Sequence, residues 1–210
     1  VNRGLAGTGV VGTLKSGSSK RVIGLRADMD ALPILEANKF SHRSVHDGRM
    51  HACGHDGHTA MLLGAAKYLA ETKSFDGTVH FIFQPAEESA GGARIMIEQG
   101  LFERFPVDAV YGLHNMPGLP VGQFAMRAGP IMASFDSFDI VVKGTGTHAA
   151  LPQLGSDQIV AAAAIVGALQ TVVSRVLDPT EPALVSITRI RGGDSYNVIP
   201  DEVLLSGCAR

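Results

Sequence analysis

Arg21-Val22-Ile23-Gly24-Leu25-Arg26 runs directly into Ala27-Asp28-Met29-Asp30, an apolar, β-branched stretch that ends on two carboxylates. Such a run, closed by polar residues, reads as a strand. After it, Pro33 to Gly57 is a polar loop rich in histidine. Thr59 to Lys73 is helix-like, with Met61, Leu62, Ala65, Tyr68 and Leu69 at helical spacing. Thr78–Phe83 reads as a second strand, Ala93–Gln99 as a short helix closed by Gly100, and Val107–Leu113 as a third strand. Strand, helix, strand, helix, strand at these spacings predicts βαβ units, hence an α/β fold with a largely parallel sheet.

The pattern changes after Gly129. Phe138–Val142 is a strand, Gly144-Thr145-Gly146 a turn, and Ser156 is placed to cap a helix running to about Leu177. Ile159, Ala163, Val166, Leu169, Val173 and Val176 fall on one face of that helix, and Pro179 and Pro182 end it. Ala183–Ile190 and Glu202–Cys208 are strands either side of a Gly192-Gly193 turn. This β-α-β-β order is α+β rather than α/β. It predicts two domains, residues 1–132 and 133–210, with the boundary near 130–137.

Composition narrows the function classes. With 210 residues, 45% hydrophobic and 18% charged, the chain has ample material for a core, which excludes disorder as its main state. Eighteen basic against 20 acidic side chains give a net charge of -2, so neither nucleic acid nor an anionic membrane surface is an expected partner. The longest unbroken apolar run, Ile159 to Leu169, has eleven residues, short of the roughly 18 to 20 of a spanning helix, so a soluble chain is expected. Two cysteines, Cys53 and Cys208, are too few for a disulfide scaffold and predict a reducing, cytoplasmic compartment. Neither Val1-Asn2-Arg3-Gly4 nor Leu204 to Arg210 looks like a natural terminus, and both ends are expected to be cuts in a longer chain.

Five of the eight histidines lie between His42 and His58, most densely in His51-Ala52-Cys53-Gly54-His55-Asp56-Gly57-His58. In an extended segment Cys53 and His55 point to the same side. A thiolate and an imidazole converging on one point suit a divalent cation of borderline softness such as zinc. A lone histidine in such a loop is ordinarily just solvated, and a cysteine nucleophile with a histidine base is the other chemistry available. The further imidazoles and carboxylates nearby favour the metal.

Gln84-Pro85-Ala86-Glu87-Glu88 follows the Thr78–Phe83 strand, where open α/β sheets place their sites. One carboxylate there can bind a cation while the other moves a proton. An acidic pair opening the next helix is an equal reading, since the dipole favours negative charge at that end. His114 ends the third strand, and Asp28 with Asp30 ends the first. Three strands thus deliver Asp, Glu and His to one sheet edge, and this convergence is the argument for a metal site. Taken alone, His148 in Gly144–Ala150 and Asn197 in Gly192–Asp201 read as structural loop residues.

Leu25–Pro33 and Met50–His58 together closely resemble the amidohydrolase branch of the dinuclear, aminoacylase-type metallopeptidases. That branch includes hippurate hydrolase and other N-acyl-amino-acid amidohydrolases. Gln84–Glu88, Gly112–Pro117, Gly144–Pro152 and Asn197–Asp201 match in the same order, so the resemblance spans essentially the whole chain. It implies a zinc-peptidase-like mixed, largely parallel sheet with helices on both faces, interrupted by an α+β lid that also forms a homodimer interface. It further implies two divalent ions, zinc or manganese before cobalt or nickel, with Cys53, His55, Glu88 and His114 as ligands. Glu87 would be the general base, and His148 would reach the partner subunit's site to steady the oxyanion. Asn197 would contact the substrate, a small N-acyl amino acid. Asp30 would orient a ligand from behind, and Asp28 is left without a role. The family's last ligand is a histidine near the end of a chain about twice as long, so this chain reads as a fragment of catalytic domain and lid. The remaining readings are a truncated, merely folded or dimerising module, and a dipeptidase or aminopeptidase of the same superfamily.

Overall fold

A computed structural model describes residues 1–88 and 90–210, which form two compact units, Val1–Gly122 and Gln123–Arg210. The division falls ahead of the expected 132/133 boundary, at the start of a stretch, 123–135, that has neither helix nor strand.

The first unit contains β1 (Asn2–Leu5), β2 (Gly9–Ser16), β3 (Val22–Asp28), α1 (His55–Thr72), β4 (Gly77–Gln84), α2 (Gly92–Glu98), α3 (Leu101–Arg104) and β5 (Ala109–Gly112). Its five strands lie in the order β1-β2-β4-β3-β5. β3 pairs in parallel with β4 and β5, as the βαβ pattern predicts. The β1–β2 hairpin, which the strand signals do not reveal, adds two antiparallel pairings, so the sheet is mixed. Glycines at 4, 7, 9, 12 and 17 break the apolar run there and hide the strands from a periodicity reading.

β4 is buried on both faces, and its alternation sorts the core in two. Val79 and Phe81 pack with Ala27 and Leu62, under α1, while Ile82 packs with Leu5, Val11, Met96 and Leu101, under α2 and α3. Helices therefore cover opposite faces of one sheet. β3 leads into α1 on one face and β4 leads into α2 on the other, which opens a crevice beyond the carboxyl ends of these neighbouring strands.

The second unit contains β6 (Asp136–Lys143), β7 (Thr147–His148), α4 (Gln158–Thr171), β8 (Val185–Arg191), β9 (Val198–Ile199) and β10 (Glu202–Ala209). β6, β10 and β8 form an antiparallel sheet in that order, and β7 pairs with β9. Two details differ from the expected helix. Its cap is Asp157, whose carboxylate accepts from the Ile159 and Val160 amides at 3.0 Å each, while Ser156 Oγ accepts from the Thr145 amide. The packed face is Ala162, Ile165 and Val166, against Val203 and Leu205, and Ile159 and Val176 are exposed. An alanine-rich helix apolar all round gives periodicity no stripe to find.

α4 continues as a wider turn through Val172–Val176, and the side chains of Gln170, Thr171 and Ser174 bond to carbonyls of their own helix. The helical stretch Gln158–Val176 is therefore 19 residues, long and apolar enough to cross a membrane by length and composition, beyond the eleven-residue run. One of its faces serves instead as cover for the sheet.

Met96 is fully buried beneath β2 and β4. Met96→Ala is expected to cost about 2–5 kcal/mol, read as a lowered urea midpoint with an unchanged slope.

Candidate metal centre

The ends of β3, β4 and β5 bring Asp28, Asp30, Glu87, Glu88 and His114 together with Cys53, His55 and His58. The Cys-Gly-His turn works differently from the extended segment expected. Gly54 is left-handed, at φ 86°, and α1 starts immediately at His55, so both His55 and His58 belong to the first turn of the helix. A Cβ on Gly54 would also strike the Asn115 side-chain carboxamide. Glycine is required there for conformation and for space.

Hydrogen bonds to main-chain atoms fix the ring states. His55 Nδ1 lies 2.9 Å from the Asp30 carbonyl, which only accepts, so Nδ1 carries the proton and Nε2 keeps its lone pair. His114 follows the same rule: Nδ1 donates to the Asn115 carbonyl at 2.7 Å, and Nε2 lies 3.4 Å from Cys53 Sγ. Asp30 does a second task. Its two carboxylate oxygens accept from the amides of Glu87 and Glu88 at 3.0 and 3.1 Å, which ties the Glu87–Glu88 turn to the end of β3.

His55 Nε2 and Glu88 Oε1 are buried, without hydrogen-bond partners, and 3.8 Å apart. Two orphaned acceptors facing each other at that separation are costly unless a cation lies between them. Cys53 belongs to the same group, whose ligand atoms all lie within 4.8 Å of one another. The donor set of thiol, imidazole and carboxylate fits a divalent cation of borderline softness.

The electrostatics agree. Burial pushes the Cys53 thiol up to about 11, helped by the neighbouring carboxylates of Glu88, Glu87 and Asp28. A thiol held protonated makes a poor nucleophile, whereas a cation would reverse the penalty. Burial raises Asp28 as well, but the His58 hydrogen bond and the Arg26 charge outweigh it and leave the carboxyl below its ordinary value. For Asp30, burial is likewise outweighed by the Glu88 and Glu87 amides.

Glu87 lies beside this cluster with an exposed side chain. Sequence reasoning left Asp28 unassigned and did not single out Arg26 or Asn115. Arg26 Nη1 meets Asp28 Oδ2 at 2.7 Å within β3, and Asn115 meets His58 from 57 residues away, a contact that no local motif announces.

In the second unit, β7 and β9 bring His148 opposite Val198, next to Asn197. The Ala149 amide donates to the Asn197 carbonyl at 2.9 Å. His148 Nδ1 accepts from the Ala150 amide at 3.1 Å, so here Nε2 carries the proton and is the free donor.

The family described as peptidase family M20/M25/M40 matches residues 24–203. The chain is 52% identical over 194 residues to a hippurate hydrolase of Campylobacter jejuni, across 92% of this chain and 50% of the relative. It is 48% identical over 204 residues to an N-acetylcysteine deacetylase of Bacillus subtilis, across 97% of this chain and 53% of the relative. Among solved structures it resembles a Bacillus subtilis protein described as a dinuclear metal-binding peptidase of the M20 family, with 45% identity and a TM-score of 0.72, covering 97% of this chain and 51% of that one. The chain spans about half the length of the curated relatives it matches.

Gly54→Ala is expected to destabilise the first unit by more than about 1 kcal/mol and to lower metal uptake. Denaturant unfolding and metal analysis of the purified protein check both.

Proposed function

Because the chain belongs to peptidase family M20/M25/M40, we propose that the whole protein is a metal-dependent amidohydrolase that cleaves N-acyl amino acids. The observation that carries the reading is the pair of buried, unpartnered atoms, His55 Nε2 and Glu88 Oε1, beside Cys53 and an exposed Glu87. Cys53, His55, Glu88 and His114 would hold divalent metal, two ions by analogy with the dinuclear relative, zinc or manganese before cobalt or nickel. A metal there would polarise the amide carbonyl and lower the pKa of a water.

The side chains divide the remaining work. Glu87 takes a proton from the attacking water and passes it to the leaving amine. Asp30 holds Glu87 and Glu88 by their amides and His55 by its ring, so base and ligand keep a fixed spacing. His148 presents an Nε2–H, the correct donor for a developing oxyanion. Asn197, held to the same loop pair, contacts the substrate. In this reading two copies associate through the second unit, and His148 of one copy serves the site of the other.

The hippurate and N-acetylcysteine names of the relatives support an acyl group on an amino acid as the substrate class. Two unpaired cysteines, Cys53 and Cys208, accord with a reducing cytoplasm.

In the full-length protein, Glu87→Gln should retain metal while turnover of N-benzoyl or N-acetyl amino acids falls about 10²-fold or more. Glu88→Gln should lose metal and activity together. Turnover retained in Glu87→Gln removes that residue from the base role, and no hydrolysis of any N-acyl amino acid by the metal-loaded wild type removes the substrate class.

A further inference from the structure

His58 lies within the same cluster of candidate ligand atoms as Asp28, His55 and His114, and by proximity alone it would count as a ligand. Its hydrogen bonds say otherwise. Nε2 is 2.9 Å from the Asn115 amide nitrogen and 2.8 Å from Asn115 Oδ1. In the neutral ring that nitrogen accepts the Asn115 N–H; in the charged ring it donates to Asn115 Oδ1. Either way it has no lone pair to offer a cation. Nδ1 is equally committed, to Asp28 Oδ1 at 2.6 Å.

We propose that His58 is a positioning residue of the metal centre, clamped between Asp28 and Asn115 so as to hold His114 in place. The inference rests on the metal-centre reading of the cluster. Asp28 is the fixed end of the clamp. Its second oxygen binds Arg26 Nη1 at 2.7 Å, its carbonyl accepts from Thr59 Oγ1 at 3.0 Å, and Arg26 Nε reaches Gln84 Oε1 at 2.8 Å. The anchor therefore spans β3, β4 and the start of α1. With both oxygens engaged, Asp28 acts as the support for His58.

The other end needs holding. β5 is four residues long, and 113–135 forms neither helix nor strand. Among the described residues, the hydrogen bonds tying 113–122 to the rest of the unit run from Asn115 to His58 and from His114 to Cys53. The His58 and His114 rings also meet edge to face, with centroids 4.6 Å apart. Fixing Asn115 fixes the carbonyl that sets the His114 ring state, and so directs its Nε2 at Cys53. Neighbours behind a ligand commonly govern affinity in this way.

The test is imidazole ¹⁵N NMR of the full-length protein, with Zn²⁺ alone as the probe, alongside the affinity of His58→Gln. Zinc should move the Nε2 resonances of His55 and His114 and leave those of His58 unmoved. His58→Gln should bind the same number of ions about 10- to 100-fold more weakly. A His58 Nε2 that moves with the ligands, or a variant that loses an ion from the stoichiometry, would make it a ligand and overturn the proposal. Wild-type affinity in the variant would overturn the positioning role. The wild-type spectra decide the ligand question even if the variant does not fold. Silence from His55 and His114 as well would remove the metal-centre reading itself, and this inference with it.

Discussion

Asp28 is a carboxylate with 1% of its surface exposed, and most of the first unit's site follows from keeping it charged. A buried carboxylate is costly unless it is paired and hydrogen-bonded. Here Arg26 meets one oxygen, His58 the other, and Thr59 the carbonyl. Each partner comes from β3 itself or from the start of α1, so the contacts that satisfy Asp28 also bring helix and strand into register. That register carries His55 to Asp30 and leaves its Nε2 facing Glu88.

The place of the site follows from topology. β3 lies between β4 and β5, and the connections leaving β3 and β4 diverge to opposite faces of the sheet. Chain leaving neighbouring strands in opposite directions opens a crevice at their carboxyl ends. Glu87 and Glu88 leave β4 into that crevice, Asp28 and Asp30 leave β3, and His114 leaves β5. The apolar halves of β4, Val79 and Phe81 on one side and Ile82 on the other, hold the two helical layers that make the divergence possible.

Sequence alone disclosed the parallel strands, the polar residues at their ends and the ligand-type cluster, because each is a local pattern: a β-branched run, a carboxylate pair, a Cys-x-His. The β1–β2 hairpin escaped because its glycines interrupt the apolar run, and what specifies it is the pairing of Val10 and Val11 with β4. The face of α4 escaped because alanine has too little contrast with its neighbours to mark a stripe. His58 and Asn115 escaped for a different reason. They are 57 residues apart, and what defines each is the other. A motif records which residues are near in the chain, whereas a clamp is a closure between segments.

The ring states of four histidines extend this reasoning to charge. His55 and His114 each donate Nδ1–H to a main-chain carbonyl, which leaves Nε2 as the acceptor nitrogen in both, the form that attracts a cation. His148 does the reverse: a main-chain amide donates to its Nδ1, and Nε2 keeps a proton, the form that attracts an anion. One side-chain type thus presents both polarities, and the choice is made by whether the backbone turns a C=O or an N–H toward the ring. At His58 both nitrogens are engaged, and neither polarity is on offer. Backbone conformation, set by Gly54 at one loop and by the β7–β9 pairing at the other, therefore decides what each imidazole presents: an acceptor nitrogen, a free N–H, or neither.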